Sequence, residues 1–346
     1  MIYYTNAYWD DVKNVISYIP NIDKLNHCSV LITGATGMIG SSIAELLFYL
    51  NEYYNADIKI FLAGREKERM VDRFYKWKID TDYFFVSFEA SEGTVVDVRV
   101  DFIIYGASPA DPASYNREPV ETMLSNILGL KVMLDLAKKH NAKNILYISS
   151  SEIYGKKYTQ ESYKESDYGY VDLLNSRSCY SSAKRAAETL CAAYRKEYGV
   201  ACVIVRPGHI YGPTITTTDS RASAQFTRKA LAGDNIVMKS DGSQLRSYCY
   251  TLDCASAILT VLLNGKNGEA YNISNPDSIV SIREFAEEMA NIASTKIIFE
   301  IPSNEEKNSY NPMNNSSLNS QKLIALGWKS CFNLKDGIIA TLRNIR

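Results

Sequence analysis

The chain has 346 residues, enough for one large or two medium domains. Its 46% hydrophobic and 22% charged residues are an ordinary balance for a globular protein. The formal net charge of -1 gives no general attraction to nucleic acid or to an anionic membrane, so neither partner is expected and any anion must be held by local groups.

Seven Cys are scattered without a C-x-x-C pair, and three His are too few for a Cys/His zinc site, so no metal is expected. Reduced thiols in a cytoplasmic protein fit best. The N-terminus lacks a basic region followed by a long apolar run, so no signal peptide is expected. No segment approaches the roughly 18 apolar residues of a membrane span.

Residues 1–27 read as a helical appendage, with Val12, Val15, Ile16 and Ile19 at helical spacing and Pro20 as its stop. It is either a packing helix or a partner contact. Cys28–Thr33 is an apolar run of strand length, followed at once by Gly34-Ala35-Thr36-Gly37-Met38-Ile39-Gly40. Then Ile43, Ala44, Leu46, Leu47 and Leu50 recur with helical period. Strand, glycine turn and helix form the context of a dinucleotide fingerprint. Gly34, Thr36, Gly37, Met38 and Ile39 are the candidate cofactor contacts, with the pyrophosphate on the helix N-terminus. An ordinary tight turn is the plain alternative.

The alternation continues. Strands are expected at 58–63, 84–88, 101–107, 144–149 and 201–206, with helices at 122–139 and 180–198. This pattern predicts an α/β fold: a Rossmann-type doubly wound parallel sheet with a smaller α/β C-terminal substrate domain. Residues 28–206, with about 248–275, would form the dinucleotide-binding domain. Residues 207–247 and 276–346 would form the second. Residues 211–247 read as loop with one helix near 222–232. Helices are expected at 253–263 and 282–292 around a short strand at 271–273, and short helices at 323–328 and 334–342. The polar stretch 303–320 reads as a surface loop or strap. The second strand ends in Arg65 where an NAD fingerprint usually has Asp or Glu. Arg65 either faces a 2′-phosphate, favouring NADP, or stacks on adenine, or begins a solvated charge run.

Tyr180-Ser181-Ser182-Ala183-Lys184 places a phenol and an ammonium on one helix face. A phenol titrates near 10, and a nearby cation is expected to lower it toward working range. Tyr180 would then take a hydroxyl proton while carbon loses a hydride. In a chain with 25 Tyr the spacing alone is weak, and context must carry it.

Ser149-Ser150-Ser151-Glu152-Ile153-Tyr154-Gly155, Arg206-Pro207-Gly208-His209-Ile210-Tyr211-Gly212-Pro213 and Leu326-Gly327-Trp328 supply that context. With the two motifs above, the chain resembles the extended short-chain dehydrogenase/reductase superfamily in its nucleotide-sugar epimerase/dehydratase branch. Within it, UDP-glucuronate decarboxylases are most similar, through Ala107-Ser108-Pro109-Ala110-Asp111-Pro112, Arg177-Ser178-Cys179-Tyr180 and Asp241-Gly242-Ser243-Gln244-Leu245-Arg246-Ser247.

The resemblance implies a nucleotide-diphosphate sugar as substrate and NAD as cofactor, with NADP open because of Arg65. Tyr180 would be the base at the sugar C4 hydroxyl, Lys184 would hold the nicotinamide ribose, and Ser150 would bond the reacting oxygen. Glu152 would be the active-site carboxylate, and Ala107 would lie by the cofactor. Ser108, Arg177, His209, Arg221 and Arg246 would meet the substrate. A homodimer through the 180–198 helix is also implied, with Ala183, Ala186, Ala187, Ala192 and Ala193 as its small-residue surface.

Plain alternatives stand beside these readings. Ser150 and Glu152 end a strand, Arg246 is a surface ion-pair residue, and His209, where relatives have Asn, is a satisfied interior histidine. Ser151 occupies the place of the dehydratases' acid, which disfavours dehydration. The decarboxylases' Glu within the Tyr-x-x-x-Lys segment and their Arg-rich motif near 308–318 are missing. Epimerisation at C4, NADPH-dependent 4-keto-sugar reduction and a non-catalytic dinucleotide-binding regulator therefore remain open beside decarboxylation.

Overall fold

The computed structural model describes residues 4–110, 112–157, 161–302 and 313–345. The short apolar runs become one parallel sheet: β1 (Ser29–Thr33), β2 (Lys59–Gly64), β3 (Phe84–Ser87), β4 (Phe102–Tyr105), β5 (Asn144–Ile148), β6 (Cys202–Pro207) and β10 (Ala270–Ile273). Their order is β10-β6-β5-β4-β1-β2-β3, with every neighbouring pair parallel. The direction of winding reverses between β1 and β4, where a doubly wound sheet opens a crevice for ligands.

Side-chain alternation explains why both faces are covered. Val30, Ile32, Ile104, Leu146, Val203 and Val205 point into one core, which α2 (Met38–Tyr54) and α8 (Thr251–Asn264) cover. Leu31, Ile103, Tyr105, Ile145, Tyr147 and Ile204 point into the other, beneath α5 (Pro119–His140) and α6 (Cys179–Tyr198). Strands buried on both faces read as continuous apolar runs, which is why they were visible in sequence.

Helix α1 (Asn6–Ile16) is a packing helix, the first of the two alternatives for this segment. Tyr8, Val12, Val15 and Ile16 enter the α2 side of the core. The Tyr8 hydroxyl donates to Glu45 of α2 at 2.5 Å, and Arg73, ending α3 (Lys67–Arg73), pairs with the same carboxylate at 3.4 Å.

The C-terminal part holds more strand than expected. β7 (His209–Tyr211), β8 (Ile236–Met238) and β9 (Leu245–Tyr250) lie in or beside the 211–247 segment read as loop around one helix, here α7 (Ala222–Leu231). β7 and β8 are too short to show a period, and β9 is buried at nearly every position, so no alternation marks it. β9 pairs with β7, with β11 (Ile279–Ser281) and with β13 (Asn315–Ser316), while β8 pairs with β12 (Ile297–Phe299). Helices α9 (Ile282–Ala293) and α11 (Leu334–Asn344), with the single turn α10 (Gln321–Ile324), complete the chain.

The proposed strap at 303–320 is corrected where it is described. Residues 303–312 lie outside the described residues. Met313, Ser316, Ser317, Leu318 and Ser320 are buried. The Leu318 N–H donates to the Ser247 hydroxyl at 2.8 Å. Polar composition misled here because the backbone of this stretch pairs with β9 at Asn315 and Ser316, which carries the serines inside the fold. Among the described residues, no helix is long and apolar enough to cross a membrane.

Candidate active site

The glycine turn sits at the β1 edge of the crevice. Gly34 has φ 69°, and a Cβ there would lie 2.7 Å from the Gly106 carbonyl oxygen. A Cβ on Gly40 would lie 2.3 Å from the Gly34 oxygen. These two glycines allow backbone segments to touch. Gly37 differs: a Cβ there meets only the Gly34 oxygen, at 3.3 Å, and otherwise open space. Gly37 is the N-cap of α2 and supplies no side-chain cap, and the first turn carries no acidic residue. Free N–H groups and the positive helix end therefore face an open cradle, which suits the phosphates of a dinucleotide.

Thr36, Gly37 and Ile39 are partly open, and Met38 is buried. Across the crevice the Thr33 hydroxyl accepts from the Gly106 and Ala107 N–H groups at 3.0 and 3.1 Å, tying the ends of β1 and β4 together. Arg65 is largely exposed and lies 3.6 Å from Glu89.

Tyr180 and Lys184 lie one turn apart on α6, both buried. The Lys184 Nζ sits 5.5 Å from the Tyr180 ring centroid and donates to the Ile148 carbonyl at 2.7 Å. Ser150 follows β5, and its hydroxyl accepts from the Glu152 N–H at 3.2 Å, capping the short 3-10 turn Ser151–Tyr154. The same hydroxyl acts on the Tyr180 phenol, favouring its ionised form.

The expectation that Lys184 lowers the Tyr180 pKa is overturned for the pocket as it stands. Burial, followed by the Glu152 charge, pushes the phenol up to about 12, against the opposing effects of Ser150, Tyr115 and Arg221. Burial also pushes Lys184 down to about 7, with Glu188 opposing. The same desolvation that brings the pair together weakens the charge meant to activate the phenol.

Glu152 is held by Arg177 through two bonds of 3.1 Å. The Arg177 guanidinium lies 4.6 Å from the ring of Tyr115, on α4 (Pro112–Arg117), and Tyr115 stacks on Tyr180 at 4.5 Å. Arg221 pairs with Asp219 at 2.6 Å and reaches the Met38 sulfur at 3.4 Å, so it touches the glycine turn. Arg246 is 3% exposed and donates to the Leu245 carbonyl at 2.9 Å; among the described residues no carboxylate forms an ion pair with it. A surface ion-pair role is excluded by that burial. His209 lies beside β9, opposite Tyr248 in register. Its Nδ1 is buried with no partner among the described residues, so it is not a satisfied interior histidine. Ser108 accepts from the Asn126 side chain at 2.8 Å.

Several residues of the cluster escaped the sequence reading. Tyr115 had no motif to mark it. Asn126, in α5, accepts from the Tyr147 hydroxyl at 3.1 Å and so links Ser108 to the ring lying 4.9 Å from Lys184. Glu188 had a signal, because it continues the Tyr180, Lys184 stripe by one more turn. It grips the buried Arg206 at 2.6 and 3.0 Å, and Arg206 donates to the Tyr154 hydroxyl at 3.0 Å, fixing the segment that carries Glu152.

The fold and this site define a dinucleotide-binding oxidoreductase-type enzyme. The chain belongs to the NAD dependent epimerase/dehydratase family, which it matches over residues 30–274. UDP-glucuronic acid decarboxylase 6 of Arabidopsis thaliana is 30% identical over 309 residues, covering 89% of this chain and 86% of the relative. UDP-glucuronic acid decarboxylase 1 of Xenopus tropicalis is 30% identical, covering 92% and 72%. Among solved structures, UDP-glucuronic acid 4-epimerase from Bacillus cereus, with UDP-glucuronic acid and NAD, aligns at a TM-score of 0.74 and 21% identity, covering 91% of this chain and 98% of that one. A dTDP-glucose 4,6-dehydratase from Bacillus anthracis with NAD aligns at 0.73 and 21%, covering 91% and 96%. These structural likenesses support the fold.

Proposed function

We propose that this enzyme oxidises a nucleotide-diphosphate sugar at C4 and, in its best-supported form, decarboxylates UDP-glucuronate. The carrying observation is the buried cluster in which Tyr180 stacks on Tyr115, whose ring lies against Arg177 of the Glu152–Arg177 pair. The relatives named as UDP-glucuronic acid decarboxylases, at 30% identity over most of the chain, favour that reaction.

The residues present fit a nicotinamide dinucleotide, with Gly34, Gly37 and the α2 N-terminus for its phosphates and Lys184 for its ribose. When bound, an oxidised nicotinamide would supply the hydride acceptor for C4 and a positive charge in the pocket. Tyr180 takes the C4 hydroxyl proton, and Ser150 holds that oxygen. The resulting 4-keto sugar acid is a β-keto acid, so the C5–carboxyl bond breaks with its electrons delocalised into the ketone. Carbon dioxide leaves, C5 is protonated, and Tyr180 would return its proton to the C4 oxygen as C4 is reduced again. Glu152, fixed by Arg177, stands ready to orient the sugar and handle the C5 proton. NAD is favoured over NADP because Glu89 offsets the charge of Arg65 at the adenosine end.

A 4-epimerase is the second reading, supported by the cations. Arg177 and Arg221 are already paired with Glu152 and Asp219, which leaves Arg246 to face a diphosphate and a carboxylate. The test is incubation of purified protein with NAD and UDP-glucuronate, read by mass spectrometry and proton NMR. Loss of carbon dioxide with NAD regenerated supports decarboxylation, and an isomer of unchanged mass supports epimerisation. Stoichiometric consumption of NADPH with a 4-keto sugar would refute both. Tyr180→Phe removes turnover and keeps dinucleotide binding; unchanged turnover would refute the assigned base.

We also infer a homodimer through α5 and α6. Val120, Leu124 and Leu128 recur every four residues along α5 and are 59%, 38% and 37% exposed, an apolar stripe that suits a second copy. On α6, Ala186, Ala192 and Ala193 are exposed, whereas Ala183 and Ala187 are buried within the chain and so are removed from the expected surface.

A further inference from the structure

We propose that His209 takes up a proton when a nucleotide diphosphate binds between Arg221 and Arg246, so that its imidazolium supplies a further cation to the diphosphate. This rests on the nucleotide-sugar reading of the site. The charges at the cleft are unevenly committed. Arg177 is bound at both ends by Glu152, and Arg221 by Asp219. Among the described residues, Arg246 donates to backbone carbonyls only, Leu245 at 2.9 Å and Asn314 at 3.5 Å. A diphosphate brings two negative charges, and one uncommitted guanidinium does not balance them.

His209 is placed to make up the difference. β7 pairs in parallel with β9, His209 opposite Tyr248, and Arg246 lies two residues before Tyr248 on the same face of β9. The His209 and Tyr248 rings are 5.8 Å apart between centroids. Among the described residues, the Tyr248 ring from β9 lies beside His209, and the cations of Arg246 from β9 and Arg221 from the lead into α7 act on it, with no carboxylate doing so. Nδ1 is enclosed without a partner, while the residue as a whole remains partly open. An unpartnered ring between two arginines is stable as neutral imidazole, because both cations and burial oppose a third positive charge. A diphosphate reverses the sign of the local field and accepts hydrogen bonds, so the same position then favours imidazolium. An asparagine at this place would donate without changing charge, so histidine makes binding depend on pH.

The sign follows directly. His209 is neutral in the free site and protonated in the complex. Binding is therefore strongest at low pH and weakens as pH rises through the complex's histidine pKa, by up to about tenfold per pH unit.

The experiment is titration calorimetry of the NAD-loaded protein with UDP, dTDP, CDP and GDP in buffers of different ionisation enthalpy near neutral pH. The expected result is uptake of close to one proton per bound nucleotide, lost in His209→Asn. With three histidines in the chain, histidine-selective nitrogen–proton NMR reads the same event without mutation. One imidazole, distinct from the exposed His27, should become doubly protonated on adding nucleotide. Tight binding without proton uptake, uptake that persists in His209→Asn, or a His209 signal that stays neutral overturns this proposal and leaves the functional reading intact. Failure of every nucleotide diphosphate to bind overturns the functional reading itself, and this proposal with it.

Discussion

Replacing Arg177 by Met tests whether the Glu152–Arg177 pair holds the site together. The pair makes two bonds of 3.1 Å, and its side chains are 10% and 20% exposed. Removing one partner from a buried pair costs about 3–5 kcal/mol, because the other charge is left in a poor solvent. The residual exposure of Glu152 lets water offset part of that, so a loss of about 2–4 kcal/mol is expected here. The same reasoning makes the second replacement a rescue. Glu152→Gln in the Arg177→Met background removes the stranded charge and should recover more than half of the loss. Turnover should stay abolished, because the carboxylate is gone. Urea denaturation of the wild type, both single variants and the double variant closes the cycle. Arg177→Met within about 0.5 kcal/mol of wild type would refute the reasoning. So would a double variant as unstable as Arg177→Met alone.

Gly40→Ala should destabilise by about 2 kcal/mol or more, since its Cβ would meet the Gly34 carbonyl oxygen. Gly37→Ala should keep most of its stability and lose dinucleotide affinity selectively, a contrast read by thermal melts beside NAD titration. Lys184→Met should abolish turnover yet stabilise the cofactor-free protein. The folded lysine titrates near 7, below its ordinary value, so the folded state binds fewer protons than the unfolded chain between those values. Its burial cost is complete below about 7 and fades as pH rises toward the ordinary lysine range, and melts across that window should show the gain shrinking with pH. Leu124→Glu with Leu128→Glu should convert a dimer to a monomer in light scattering, while an unchanged mass would refute the α5 interface.

Much of the fold was legible because the inner strands of the main sheet are buried on both faces, whereas the edge strand β3 is only partly buried. Cys28–Thr33 and Asn144–Ser149 could be placed nearly to the residue on that ground. β7 and β9 were not legible, because their reason for being strands is each other. A three-residue segment such as His209–Tyr211 carries no period, and its backbone groups find partners only once β9 lies beside it. The buried serines near Ser316 misled for a related reason. Composition marks them as surface, yet the backbone at Asn315 and Ser316 pairs with β9 and takes them inside.

The site divides along the same line. Tyr180 and Lys184 could be named from their spacing along one helix, and Ser150 and Glu152 from the resemblance of the segment around them to the family's motif. Their electrostatics could not be named, because a pKa depends on what encloses the group. The neighbouring ammonium suggested an activated phenol, whereas burial raises the phenol to about 12 and lowers the ammonium to about 7. Activation must therefore come with the ligands, which add charge and exclude water together. The arginines follow the same logic: by count the pocket is rich in cations, by pairing it keeps Arg246 uncommitted. What this enzyme does to its sugar is set less by which charged residues it has than by which remain unpaired when substrate arrives.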